Sequence, residues 1–115
     1  MENNTRLKIA FYKTSSGSEP VREWLKALDK EDRKIIGEDI KDVQEYWPLG
    51  MPLVKPLGQG LYEVRSNLNN KRIGRVFFGT SKGIILLLHS IIKKSQKTRK
   101  KDLDLARNRL KDTLK

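Results

Sequence analysis

The sequence predicts an α+β fold, one mainly antiparallel sheet packed by helices, with elements in the order β-α-α-β-β-β-α. Three observations carry this reading. Residues 61–92 hold three runs rich in aliphatic and aromatic side chains, separated by short Asn- or Gly-containing turns. Between Pro20 and Trp47, apolar residues recur every three or four positions, and the same spacing returns after Asp102. At 115 residues and 37% hydrophobic, the chain suits a single domain over 1–115 with one modest core.

The elements follow in order. Leu7, Ile9 and Phe11 alternate with Arg6, Lys8 and Ala10, the two-residue period of a half-buried strand. Thr14 to Ser18 reads as a turn, with Ser18 able to cap a helix whose first turn accepts Pro20. That helix carries Val21, Trp24, Leu25 and Leu28 on one stripe, and Asp29 to Glu31 separates it from a second. The second helix has Ile36, Ile40, Val43 and Trp47 inward, Glu38, Asp39, Asp42 and Glu45 mostly outward, and Pro48 and Gly50 to stop it. Trp24 and Trp47 are therefore core residues and not platforms for bases.

Three strands are expected next, Leu61 to Asn67, Arg72 to Gly79 and Ile84 to Ile92, joined by turns at Asn67 to Asn70 and Ser81 to Gly83. Short turns imply an antiparallel meander. Ile84 to Ile92 is apolar on both faces, as expected of the sheet's centre. Lys93 to Lys101 reads as a basic loop, and Asp102 to Leu114 as a helix with Leu103, Ala106, Leu110 and Leu114 on one side.

Several function classes are excluded by what is missing. Without cysteine the chain can form neither a disulfide framework nor a thiolate metal site, which suits a reducing cytoplasm. MENNTRLK lacks an apolar signal core, and Ile84 to Ile92, interrupted by His89 and Ser90, falls short of the about 20 residues a spanning helix needs. No membrane role, metal or cofactor is expected, since there is no Gly-rich phosphate loop, no Cys/His ligand spacing and only one histidine.

The formal charge of +11 is unevenly placed. Residues 1–50 carry nine Lys and Arg against ten Asp and Glu, and residues 51–115 carry sixteen against four. Between Glu45 and Asp102 the sole acid is Glu63, among twelve Lys and Arg. A charged face can be plain solvated surface, but this one-sidedness favours a polyanion, with nucleic acid first and an acidic protein second.

Alternation places Leu61, Glu63 and Arg65 on one face of a strand and Tyr62 and Val64 on the other. Glu63 and Arg65 alone would be an ion pair on an exposed sheet face. Arg75 on the next strand and Lys93 and Lys94 at the end of the one after raise a functional reading. Metal-free RNA cleavage by the ribose 2′-OH needs a base, cations for the crowded phosphate and an acid for the leaving 5′-oxygen. Arg65 and Arg75 supply charge as paired forks, and Glu63, the only nearby carboxylate, is the base. His89 shares strand parity with Leu87, Ile91 and Lys93 and is either a core histidine or the inner edge of the site.

With these residues in hand, the chain resembles the phage-derived HigB-like branch of the RelE/ParE toxin superfamily. The segments that carry the likeness are Phe11-Tyr12 with Pro20-Val-Arg-Glu-Trp-Leu, Lys55-Pro-Leu-Gly-Gln-Gly-Leu-Tyr-Glu-Val-Arg65, and Leu88-His-Ser-Ile-Ile-Lys-Lys-Ser-Gln-Lys-Thr98. The resemblance implies a RelE-like fold, cleavage of mRNA at the ribosome, and neutralisation by a cognate antitoxin, often a helix-turn-helix protein. It implies phosphate-binding roles for Arg65 and Arg75 and matches Lys93 and Lys94 to the family's basic pair. Glu63 matches an acid frequent in the branch. The expected catalytic set is Glu63, Arg65, Arg75 and Lys94, with Lys55, Arg72, Lys93, Gln96, Lys97, Arg99 and Lys100 binding RNA. Thr98-Arg99 stands where relatives often have Thr-Pro, and no Tyr or His near the chain end matches the acid of some relatives. Lys94, Lys97 or water is left as the acid.

The same fold also hosts DNA-gyrase poisons of the ParE type, and a non-enzymatic RNA- or ribosome-binding module would need only the basic face. Few aromatics are free of core stripes, which argues against recognition by base stacking.

Overall fold

The structure, a computed structural model, describes residues 7–95 and 97–114. Nine segments follow in order: β1 Lys8–Phe11, α1 Pro20–Ala27, α2 Lys30–Tyr46, β2 Val54–Gly58, β3 Leu61–Asn67, a 3₁₀ turn at Asn69–Lys71, β4 Ile73–Ser81, β5 Ile84–Lys93 and α3 Lys100–Leu114. The strands form one sheet in the order β1-β5-β4-β3-β2, antiparallel throughout except for the parallel β1–β5 pair. The α+β reading holds, and so do its helices.

Two details of the sheet differ from expectation. Its centre is β4, buried from Ile73 to Gly79, and β5 lies between β4 and the edge strand β1. An apolar run on both faces marks a strand with neighbours on each side and cover above and below, which does not distinguish the middle position from the next one out. The second difference is β2, to which the sequence reading assigned no element; it holds Pro56 opposite Tyr62, and at the sheet edge the missing N–H faces no partner that needs it.

Helices cover both faces. α1 and α2 bury Val21, Ile36, Ile40 and Val43 against Val54, Val64, Val76, Phe78, Ile85 and Leu87. On the opposite face α3 lays Ala106 and Leu110 over Leu61, Phe77 and Leu88. Each fully buried large aliphatic or aromatic side chain contributes roughly 1.5–3 kcal/mol. Leu114, expected on the inner stripe, is exposed at the end of α3. Trp47 packs edge-on to Tyr62 and Phe78 at 4.9 and 5.4 Å, so it is a core residue, as its helical spacing implied.

Local chemistry sets the ends. α1 starts with Pro20 after Glu19, not with a Ser18 cap, because the Ser18 hydroxyl bonds Thr14 at 2.9 Å. Asp29 caps α2 by accepting from the Asp32 N–H at 2.9 Å. The β4–β5 hairpin turns on Lys82 and Gly83, both left-handed at φ 50° and 78°, the paired geometry that matches strand twist in a two-residue loop.

Two bulges interrupt the ladders. Leu57 is the extra residue of β2 and Leu88 that of β5. Both are held by arginines of α3: Arg109 donates to the Leu88 carbonyl at 2.7 Å, and Arg107 donates to the carbonyls of Leu57 and Gly58. Carbonyls that a regular ladder would satisfy thus find partners on the covering helix.

Candidate active site

On the α3 face, strand register builds a block of charge. Lys55, Glu63, Phe77 and His89 lie across β2, β3, β4 and β5, and the next row holds Arg65, Arg75 and Ile91. Arg65 and Arg75 are direct cross-strand partners, as expected from the sequence. Lys93 stands opposite Ile73 at the end of β5.

The expectation of an exposed face is overturned here. Glu63 and Arg75 are each 0% exposed and the Arg65 side chain is 13% exposed, because α3, Ser95 and Thr98 close over this side of the sheet. Arg75 Nη1 lies 3.3 Å from Glu63 Oε2 and donates to Thr98 Oγ1 at 3.1 Å, while Nη2 donates to the Ser95 carbonyl. Thr98 in turn donates to Glu63 Oε2 at 2.9 Å. The other carboxylate oxygen, Oε1, lies 3.4 Å from Arg65 Nε and accepts no hydrogen bond among the described contacts. One carboxylate is therefore held by two guanidinium groups and one hydroxyl.

Above this group lies a cleft of about 430 Å³ lined by Lys93, Ser95, Lys97, Thr98, Arg99 and Lys100. Lys93 Nζ donates to the Lys97 carbonyl at 2.7 Å, which fixes the ammonium at the cleft wall. Burial first, then the charges of Arg99 and Arg75, push this lysine below its ordinary value of 10.5. Lys97, Arg99 and Lys100 are exposed, and Lys100 is paired with Asp104 at 2.8 Å.

The residues expected at the site divide into groups. Glu63, Arg65, Arg75, Lys93, Lys97, Arg99 and Lys100 are brought together, and Lys55 adds a cation across from Glu63 on the same face. Lys94 is exposed and does not line the cleft, because it is one residue out of phase with Lys93. Arg72 is engaged elsewhere, forking onto Asp32 of α2 at 2.7 and 2.9 Å. Gln96 lies outside the described residues, as does Arg6 of the first strand pattern.

His89 stacks on Phe77 with centroids 5.5 Å apart and donates from Nε2 to Asp102 Oδ1 at 2.8 Å. It is a half-buried tie between β5 and the first turn of α3. Its parity needs correction: the Leu88 bulge turns Leu87 to the α2 face, so His89 shares its face with Leu88, Ile91 and Lys93. The sequence reading missed Thr98 and Ser95, whose roles depend on the path of the loop. It also paired Lys94 with the chemistry although parity with His89 and Ile91 points to Lys93. Among the described residues, no three His, Asp or Glu side chains gather to hold a metal ion, and no helix is long and apolar enough to cross a membrane.

Residues 23–111 match the family described as Phage derived protein Gp49-like, which covers both charged rows, the cleft and most of α3. The chain belongs to the phage-derived Gp49-like family. This family is of the RelE/HigB-like toxin type, and membership implies an antitoxin as partner. No curated protein matches the chain. In this Gp49-like protein the cationic cleft lies over a buried carboxylate.

Proposed function

We propose that this Gp49-like protein is the endoribonuclease toxin of a type II toxin–antitoxin pair, cutting mRNA on the ribosome without a metal ion. The observation that supports the reading is the cleft of Lys93, Lys97 and Arg99 set over the Glu63–Arg65–Arg75 group. An RNA phosphate in the cleft meets fixed cations whose field strengthens as charge builds in the transition state. Arg65 and Arg75 act from behind, and Lys55 extends the cationic face along the RNA.

In the reaction the 2′-oxygen bonds to phosphorus as the bond from phosphorus to the 5′-oxygen breaks, leaving a 2′,3′-cyclic phosphate and a 5′-hydroxyl. Glu63 is the base that finally holds the 2′-OH proton. Lys93 is the acid for the leaving oxygen, in place of Lys94, because its lowered pKa makes the ammonium a readier donor. The test is cleavage of mRNA on translating ribosomes by the parent, Arg65→Ala and Lys93→Met, with the product ends identified. Each variant should lose on the order of a hundredfold in rate, about 3 kcal/mol of transition-state stabilisation. Growth arrest with intact mRNA, or parental rates in both variants, would rule this reading out in favour of gyrase poisoning or plain ribosome binding.

A further inference from the structure

Because Glu63 is fully buried, an RNA 2′-OH in the cleft does not touch its carboxylate. Thr98 touches both sides. It lines the cleft, and its hydroxyl gives its hydrogen to Glu63 Oε2 at 2.9 Å. Arg75 Nη1 donates to the Thr98 oxygen, Oγ1, at 3.1 Å. A hydroxyl has one hydrogen and two lone pairs, so these two contacts settle its orientation: the hydrogen points inward and one lone pair is left to accept.

We propose that Thr98 is a catalytic residue that relays the 2′-OH proton from RNA in the cleft to Glu63. This rests on the RNA-cleaving reading above. As the 2′-oxygen bonds to phosphorus, its proton passes to Thr98 Oγ1 and the Thr98 hydrogen passes to Glu63 Oε2. The Thr98 oxygen is never left as an alkoxide, since gain and loss of the proton are coupled. The departing 5′-oxygen takes a proton from the Lys93 ammonium. After product release Glu63 returns its proton through Thr98 to solvent and Lys93 regains one, so the protein ends unchanged. The relay explains how a carboxylate locked between Arg65 and Arg75 can serve RNA without leaving its partners.

The experiment uses the full chain with Thr98→Val, which keeps the shape and removes the hydroxyl, and Thr98→Ser, which keeps the hydroxyl. Single-turnover cleavage of ribosome-bound mRNA is followed, with thermal unfolding recorded for each variant. Affinity is measured on mRNA carrying a 2′-deoxy sugar at the cut. Thr98→Ser should stay within about fivefold of the parent, as expected when the proton-transfer group is kept. Thr98→Val should fall by on the order of a hundredfold in rate at unchanged affinity. The loss should fall on the rate alone, with the melting temperature as well as the affinity unchanged. A hydroxyl that only ties the loop down would lower affinity or melting temperature together with the rate, and this result overturns the relay. So does a parental rate in Thr98→Val, or a folded Thr98→Ser as slow as Thr98→Val. Those outcomes leave the nuclease reading standing, whereas a parent protein that never cleaves overturns both.

Discussion

Removing the Glu63 carboxylate leaves Arg75 fully buried with no acid among its described contacts. Breaking a buried ion pair on one side typically costs 3–5 kcal/mol, so Glu63→Gln should lower unfolding free energy by about 3 kcal/mol in urea melts, as well as slow cleavage. An unchanged melt would mean that solvent reaches the pair. Tyr62→Ala makes the contrast. It removes a ring at 4.9 Å from Trp47 and 5.4 Å from Phe78 on the opposite face, so it should cost about 2–4 kcal/mol while the folded fraction cleaves at the parental rate. The choice of Glu63, Arg65 and Arg75 was legible in the sequence, since period-two alternation and adjacent strands put them together. Their burial was not, because it depends on where α3 and the loop before it settle. Thr98 was silent for the same reason: nothing in its own neighbours says that its hydroxyl meets residues of β3 and β4.

At the scale of elements, α3 is fastened to the sheet by close approach and by its arginines. A Cβ at Gly79 would stand 2.6 Å from Leu110 Cδ1 and 3.4 Å from the Gly60 carbonyl. Gly79→Ala should therefore push α3 outward and destabilise the fold by about 1–3 kcal/mol, as overpacking does, with faster amide exchange in α3 than in α2. Equal exchange in both helices would show that Leu110 simply moves aside. α2 is tied by a different bond, the fork of Arg72 on Asp32, which holds that carboxyl below its ordinary value of 3.8. A lowered carboxyl pKa stabilises the fold above the unfolded value, and the contribution is lost as pH falls through the folded value. Acid unfolding should thus steepen below about pH 3.8, and Asp32→Asn should flatten that slope; identical acid transitions would assign it to other carboxylates. The helices were legible from apolar spacing and capping residues. β2 and both bulges were not, since Pro56 hides the edge strand and a bulge changes which face a residue meets without changing local composition.

Charge is a property of the whole molecule. The excess of cations in residues 51–115 is only partly free for a polyanion, because Arg72, Arg107 and Arg109 are engaged in holding the fold. What remains around the cleft should still make RNA binding salt-sensitive, with affinity falling log-linearly at about 0.7 per phosphate contact on single strands. Lys97→Ala with Arg99→Ala should reduce that slope by about one unit or more, measured by titration with a non-cleavable strand; an unchanged slope would place the RNA elsewhere. Fold class and the half of the chain that carries the excess of cations were legible from periodicity and charge. Which cations hold the fold was not, because Arg72 and Arg99 look alike until the backbone brings Asp32 to one of them.

The parallel pairing of β1 with β5 joins segments near opposite ends of the chain. Contacts so distant in sequence form late, since a long loop must close before they are rewarded. During synthesis, the hairpin of β3 and β4 can pair as it emerges, but β1 must wait, edge unpaired, for the last strand. Thr98 and α3 come later still. Ribosomes that stall before Ser95 would release chains with the Glu63–Arg75 pair uncovered and the cleft unbuilt. An interrupted chain is thereby left without the site on which the proposed activity depends.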